Sequence, residues 1–258
     1  MPRTPKGCFV IQRYCGMAII VEKFGGTSVA DSGGLRRAAR LISAARLAGN
    51  SVVAVVSAQG NTTDKLLKKA AELSCDPCKR ELDALLSSGE QASMALLAIA
   101  AEAQGCPAVS LSGPMAGIST DGRFGEAEIT EINTERIKKE LSAGRAVIIA
   151  GFQGSAPNGD IATLGRGGSD TSAVALAAAL GASVCKIYTD VDGVYTADPR
   201  KDKAAKKLEH ISYDDMLLLS KSGAQVLHPR AAELAKKHGV RVEVLSSFDN
   251  IPGTVLTQ

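Results

Sequence analysis

The chain has 258 residues, a net charge of +3 and 3% aromatic residues, with no tryptophan. This length accommodates one α/β domain or two small ones. The mild charge and the scarcity of aromatic side chains argue against nucleic-acid binding, and the absence of a run of about 18 apolar residues argues against a membrane span. We therefore expect a cytoplasmic globular protein.

The first 16 residues are mildly basic and carry Cys8 and Cys15 without a long apolar segment, which fits neither a signal peptide nor a clear transit peptide. We expect residues 1–16 to be a disordered extension, with Met17 as the natural start, and residues 17–258 to form the folded domain. Cys75 and Cys78 have a metal-like spacing, but no second pair follows at the distance of a zinc ribbon. Reduced thiols are therefore favoured over a structural metal.

From residue 17 onward, apolar runs typical of strands alternate with segments of helical periodicity. The predicted strands are 19–23, 51–56, 108–111, 127–129, 146–150, 183–189 and 241–245. The predicted helices are 35–48, 64–73, 79–104, 134–143, 172–180, 213–222 and 229–239. This alternation predicts an α/β fold whose mainly parallel sheet has helices on both faces, with ligands beyond the carboxyl ends of the strands.

Two loops follow buried strands in the first part of the chain. In the loop 23–29, Gly25 and Gly26 can offer backbone N–H groups to phosphate oxygens and Lys23 can offer a charge, although an ordinary turn capped by Ser28 or Asp31 is equally plausible. The loop 57–64 carries hydroxyls at Ser57 and Thr63 that can bind a carboxylate. Its alternative role is a helix start capped by Thr63 or Asp64.

A glycine-rich loop at 163–170 is the most informative stretch of the chain. It holds Arg166 and Asp170 among three glycines, immediately before a helix, so it suits a small ligand that carries both charges, such as an amino acid. A fourth loop, 188–200, has acids, hydroxyls, Tyr195 and Arg200 near a strand end. It lacks the glutamate that ends an EF-hand loop, so a nucleotide suits it better than calcium.

The remaining polar candidates are less specific. Glu90 lies within a helical pattern, where a solvated charge is the ordinary interpretation. His210, His228 and His238 have no metal spacing, and His228 precedes Pro229 at a predicted helix start, which indicates a structural role.

Taken together, these segments resemble the aspartate kinases of the amino-acid kinase family, and the resemblance covers residues 17–258. The motifs that carry it are Lys23–Val29, Ser57–Asp64, Ser88–Glu90, Ala116–Asp121, Thr163–Asp170, Thr189–Arg200 and Val226–Pro229. Each motif is modest evidence alone, whereas seven in order are specific. The resemblance implies a three-layer α/β/α sandwich with a mainly parallel central sheet, in which the N-terminal half binds the amino acid and the C-terminal half binds ATP.

The same resemblance implies phosphorylation of the L-aspartate side chain by ATP, the first step towards lysine, threonine and methionine. Lys23 and Asp170 are then catalytic, with Asp170 orienting Lys23 or the substrate amine. The resemblance assigns the substrate to Arg166 for the α-carboxylate, Glu90 for the α-ammonium, and Ser57 and Thr63. It assigns the nucleotide to Lys23, Gly25, Gly26, Thr189, Asp190, Tyr195 and Arg200. Mg²⁺ is expected on the phosphates rather than on protein ligands.

Two departures from the family pattern keep alternatives open. Gln225 stands where many relatives have a lysine before Val226, and the chain ends where relatives continue into regulatory ACT domains. A non-catalytic regulatory subunit that binds nucleotide or amino acid, and a kinase for a related amino acid, therefore remain alternatives. A homodimer and a separate regulatory subunit are both compatible with the resemblance.

Overall fold

The computed structural model describes residues 17–197, 202, 204–221 and 226–257, so the predicted extension at 1–16 lies outside the described residues. The described strands are β1 (Ile19–Phe24), β2 (Ser51–Val56), β3 (Ala108–Leu111), β4 (Ile118–Thr120), β5 (Ile129–Ile132), β6 (Ala146–Ala150), β7 (Gln153–Ser155), β8 (Ile161–Thr163), β9 (Val184–Thr189), β10 (His210–Ser212), β11 (Val242–Ser246) and β12 (Thr254–Thr257). The described helices are α1 (Ser32–Leu47), α2 (Thr62–Leu73), α3 (Lys79–Glu102), α4 (Glu135–Ser142), α5 (Gly168–Leu180), α6 (Tyr213–Lys221) and α7 (Pro229–His238).

An eight-stranded sheet in the order β10-β12-β11-β9-β1-β2-β6-β3 organises the molecule, and all its neighbours are parallel except β11 and β12. Every residue of β2 is buried because helices cover both faces of the sheet. On one face, α1 and α3 pack over the strands around Ile42 and Leu97. On the other face, α4, α5, α6 and α7 enclose a core that includes Leu176 and Met216. The predicted three-layer α/β/α architecture is confirmed.

A smaller sheet, β5-β4-β7-β8, was not predicted, and neither were β10 and β12. The prediction of a strand at 127–129 was wrong in position, because β5 begins at Ile129. These strands have three or four residues each, too few for an alternating pattern to be recognised. The pairings of β4 with β5 and of β7 with β8 join neighbouring segments, whereas those of β4 with β7 and of β10 with β12 join segments that lie far apart in the chain. Tertiary pairing therefore decides their existence.

Helices α1, α2 and α5 begin earlier than predicted, and the corrections at α5 and α2 bear on the site. Helix α5 starts at Gly168 rather than at residue 172, because Gly167 takes a left-handed conformation (φ 70°) at its N-cap. Arg166 therefore precedes the helix directly, and Asp170 lies in its first turn. Helix α2 starts at Thr62, so Asn61 occupies the N-cap position that we predicted for Thr63 or Asp64. Asp31 does cap α1, since its Oδ1 accepts from Gly34 N at 2.7 Å.

Helix α3 is the longest helix described and, by length and composition alone, could cross a membrane. In the fold it packs instead against α1, α2 and strands β3, β6 and β8. It also buries the carboxyl groups of Asp83 and Glu90 within the protein. Such a helix is a core element here, which agrees with the expectation that this part of the chain is globular.

Candidate functional site

Three of the four loops singled out from sequence meet at one edge of the large sheet. The carboxyl ends of β9, β1 and β2 lie side by side there, because these strands are parallel neighbours. Gly60 N donates to Gly26 O at 2.9 Å, and Gly25 N donates to Tyr188 O at 3.2 Å. The loops that follow β1 and β2 and the end of β9 are thus joined through their backbones.

The two glycines after β1 differ in what they can offer a ligand. The N–H of Gly25 is used within the fold, contrary to our expectation that both N–H groups face phosphate. The N–H of Gly26 has no partner among the described residues. A Cβ at Gly26 would lie 2.7 Å from the carbonyl oxygen of Ala58, so the close approach of the two loops requires glycine.

An ion pair connects the glycine-rich loop at 163–170 with β1. Lys23 Nζ lies 2.7 Å from Asp170 Oδ1, and the two side chains are only 11% and 13% exposed. Asp170 Oδ2 accepts weakly from the backbone N–H of His228 at 3.4 Å. The pair places an ammonium group beside the N-terminus of α5, where positive potential favours an anion.

Glu90 lies in the middle of α3 and is buried, with a relative exposure of 4%. Its Oε1 accepts from Ala58 N at 3.1 Å, whereas Oε2 has no hydrogen-bond partner within the described part of the chain. Burial raises the pKa of Glu90 to about 7 because the charged form is poorly solvated. A buried, half-satisfied carboxyl group of this kind is suited to receive a cationic ligand group.

Three other predicted substrate residues present unused polar groups. Arg166 is exposed in the turn between β8 and α5, and it forms no ion pair or hydrogen bond with any described residue. The hydroxyls of Ser57 and Thr63, which are half-buried, are also without a partner among the described residues. These groups remain available to a ligand.

Two residues predicted to bind the nucleotide near the end of β9 form hydrogen bonds with acids of the loop that follows. Thr189 ends β9, and its hydroxyl donates to Asp190 Oδ1 at 3.1 Å. The hydroxyl of Tyr195 donates to Asp192 Oδ1 at 2.9 Å, so it bonds within its own loop. Arg200 and Gln225 lie outside the described residues. No group of three or more His, Cys, Asp or Glu side chains in the described ranges could hold a metal ion, and Cys75 and Cys78 are free, exposed thiols.

Sequence reasoning missed two residues that shape the site. Phe152 follows β6 with φ 71°, a conformation that costs a non-glycine residue about 1–3 kcal/mol and that concentrates at functional sites. It packs so closely on α5 that a Cβ at Gly168 would lie 2.8 Å from its ring. The second is Asp83, a buried acid on α3. Neither residue carries a local sequence signal that distinguishes it.

Gly167 provides a test of this packing, with Gly181 at the other end of α5 as its control. Both have positive φ, but a Cβ at Gly167 would lie 2.0 Å from Cγ of His228, whereas one at Gly181 would meet nothing within 4 Å. We expect Gly167→Ala to lower the free energy of unfolding by about 3 kcal/mol or more, and Gly181→Ala by about 1 kcal/mol. Urea unfolding of both variants measures this, and equal losses would contradict the packing.

Comparison with known proteins places this arrangement among characterised relatives. A profile described as "Amino acid kinase family" matches residues 18–246. The aspartokinase of Geobacillus stearothermophilus is 54% identical over 242 residues, which cover 94% of this chain and 60% of that protein. The chain thus spans about three-fifths of the length of the curated relatives it matches.

Two crystal structures have the same fold over 93% of this chain. Aspartate kinase from Synechocystis superimposes with a TM-score of 0.83 at 47% identity, and the match covers 40% of that chain. Escherichia coli aspartokinase III in complex with aspartate and ADP also gives a TM-score of 0.83, at 30% identity over 64% of its chain.

Proposed function

Since the chain belongs to the amino acid kinase family, we propose that it transfers the γ-phosphoryl group of ATP to the side-chain carboxylate of L-aspartate. The products are 4-phospho-L-aspartate and ADP. The observation that carries the proposal is that the loops after β1 and β2, which are joined through their backbones, carry the Lys23–Asp170 ion pair on one side and the buried, half-satisfied carboxyl group of Glu90 on the other. A relative of 30% identity that binds aspartate and ADP supports it.

The substrate side of the proposal uses complementary charges. Glu90 receives the α-ammonium group of aspartate on its unpartnered Oε2 atom, and the Arg166 guanidinium binds the α-carboxylate in a bidentate manner. Ser57 and Thr63 donate their free hydroxyls to the substrate. The side-chain carboxylate then points towards Lys23. It is already ionised at neutral pH, so this nucleophile requires no general base.

The phosphoryl side requires positioning and neutralisation of charge. A carboxylate oxygen of aspartate attacks the γ-phosphorus, and the bond from that phosphorus to the β,γ-bridging oxygen breaks. Lys23 and the free Gly26 N–H stabilise the charge that develops, while Asp170 holds Lys23 in place. Mg²⁺ bound to the phosphates supplies further neutralisation. Thr189, Asp190, Tyr195 and Arg200 bind the nucleotide. The N-terminal half therefore supplies most of the amino-acid contacts, with Arg166 as the exception, and the C-terminal half supplies most of the ATP contacts, with Lys23 and Gly26 as the exceptions.

The direct test is an assay of the 258-residue chain with ATP, Mg²⁺, L-aspartate and hydroxylamine. Hydroxylamine captures the acyl phosphate, so we expect aspartyl hydroxamate to form in step with ADP. Glutamate is the matched control substrate, because it carries the same charges with one more methylene. A folded, pure chain that produces no hydroxamate from aspartate would contradict the proposal.

The two alternatives give different results in the same experiments. A kinase for a related amino acid produces more hydroxamate from that amino acid than from aspartate. A non-catalytic subunit binds nucleotide or amino acid in calorimetry but releases no ADP. Glu90 and Arg166 would serve a kinase and an amino-acid-binding subunit equally well, whereas the Lys23–Asp170 pair favours catalysis, since binding the amino acid alone does not require a cation held where the phosphoryl group moves. We further propose a cytoplasmic location, where ATP is available and thiols stay reduced.

A further inference from the structure

Asp83 holds two separate segments of backbone to helix α3. Its Oδ2 accepts from Thr163 N at 2.7 Å and from Gly125 N at 2.9 Å, and its Oδ1 accepts from the Thr163 hydroxyl at 2.7 Å. The residue is 1% exposed, so these bonds are shielded from water. All three donors are uncharged, and Asp83 forms no ion pair with any described residue.

Burial of a carboxylate without a cation is costly, and hydrogen bonds to a charged acceptor are about twice as strong as those between neutral groups. An apolar side chain could fill the same volume without the desolvation cost. What it could not do is fix the two N–H groups of Gly125 and Thr163 in defined directions. The hydrogen bonds of Asp83 therefore indicate that it orients the attached backbone, and does not only stabilise the fold.

The attached backbone leads directly to the glycine-rich loop. Thr163 ends β8, and Arg166 follows three residues later in the turn before α5. Gly125 packs under the same turn, since a Cβ at Gly165 would lie 3.0 Å from its carbonyl oxygen. The bonds of Asp83 thus fix the point from which the turn bearing Arg166 departs.

The same helix carries Glu90. Residues 83 and 90 are seven apart, which in an α-helix brings them to nearly the same face, and both are buried. Between them, the carbonyl of Ser87 accepts from the side-chain amide of Gln153 at 3.1 Å, which ties β7 to this face as well. Helix α3 therefore holds Glu90 directly and the turn bearing Arg166 through Asp83.

We infer that Asp83 is a positioning residue that sets the spacing between Glu90 and Arg166, and thereby the recognition of the amino acid at both ends. The inference rests on the proposed function, in which Glu90 binds the α-ammonium and Arg166 binds the α-carboxylate. Asp83 touches neither substrate nor nucleotide. It acts by holding the backbone of Thr163 and Gly125 against α3.

The test compares four variants of the full chain: Asp83→Ala, Asp83→Asn, Thr163→Val and Arg80→Ala. Arg80 is the matched control, because it joins the same helix to Asp160, before β8, through a partly exposed ion pair of 2.8 Å. We expect Asp83→Ala to raise the KM for aspartate by about 10- to 100-fold while the KM for ATP changes less than about twofold. Asp83→Asn keeps an oxygen that can accept from both N–H groups, so it should restore most of the affinity. Thr163→Val should be intermediate.

If Asp83 has a purely structural role, Asp83→Ala should change the KM values for aspartate and for ATP together, or change only the free energy of unfolding. The inference is wrong if Asp83→Ala raises the KM for aspartate no more than Arg80→Ala does. If Asp83→Ala does not fold, the comparison of Thr163→Val with Arg80→Ala decides by the same criterion.

A readout that needs no catalysis separates this inference from the proposed function. Amide hydrogen exchange at residues 163–166 should quicken in Thr163→Val relative to the parent and to Arg80→Ala. If the parent forms no hydroxamate, the proposed function fails and the inference about aspartate recognition fails with it. Faster exchange in Thr163→Val would then still support the part of the inference in which Asp83 holds the backbone of Thr163. Unchanged exchange would contradict that part whether or not the parent is active.

Discussion

Replacement of Lys23 by alanine is expected to lower kcat for aspartate phosphorylation by about 10²- to 10⁴-fold. Lys23 is the cation that the ion pair with Asp170 holds at the junction of the loops after β1 and before α5. Its charge is worth more in the transition state, where negative charge moves between phosphate oxygens, than in the substrate complex. We therefore expect the larger loss in kcat and a smaller rise in KM, measured by the hydroxamate assay.

Asp170→Asn and the double variant test whether the two residues act as a unit. If Asp170 works by orienting Lys23, the double variant should lose no more activity than the worse single variant. Lys186→Ala is the control, since Lys186 pairs in register with Glu22 and so points to the opposite face of the sheet from Lys23. Near-normal turnover in Lys23→Ala, or an equal loss in Lys186→Ala, would refute the role of Lys23.

The strands that were placed most accurately from sequence include the two whose residues are all buried. Strands β2 and β6 were placed at their observed bounds, because a mainly apolar run in a parallel sheet has few other interpretations. The partly buried edge strand β3 was also placed at its observed bounds. The short strands β7 and β8 contain polar or glycine residues; they pair with each other, and β8 also packs on α3. The contacts of β8 with α3 and of β7 with β4 join distant parts of the chain, which no local pattern records.

The candidate site follows the same division between local and long-range information. Glycines, charges and hydroxyls after strand ends identified the loops, and parallel pairing explains why three of these loops meet. The partners of the individual groups could not be predicted, because they depend on contacts such as Lys23 with Asp170, which are 147 residues apart in sequence (170 − 23). Asp83 resembles any acid near the start of a helix until its buried donors are known. The free hydroxyls of Ser57 and Thr63 likewise become informative only because the fold leaves them unused.

Replacement of Glu90 by glutamine should raise the KM for aspartate by about 30- to 1,000-fold, which corresponds to about 2–4 kcal/mol for a buried charge pair. Glutamine can keep the acceptor for the Ala58 N–H, so the fold should persist.

Burial raises the pKa of Glu90 from its ordinary 4.5 to about 7, so the folded state resists ionisation of this carboxyl group. As the pH rises above 4.5, Glu90 loses its proton in the unfolded chain but keeps it in the folded chain. Glu90 therefore lowers the free energy of unfolding above pH 4.5, and the loss grows until the pH reaches about 7. Glu90→Gln should therefore be at least as stable as the parent at pH 8, which separates lost binding from lost folding.

The raised pKa of Glu90 also predicts how aspartate recognition depends on pH. Only the carboxylate form attracts the α-ammonium group, so the KM for aspartate should rise by roughly tenfold for each pH unit below 7 in the parent. In Glu90→Gln the KM should be high but nearly independent of pH over the same range. Glu22 is the matched control, because burial raises its pKa to about 7 as well, but it faces away from Lys23 on β1. The KM of Glu22→Gln for aspartate should depend on pH as in the parent. If Glu22→Gln instead loses this pH dependence, the group that titrates is Glu22 and not Glu90.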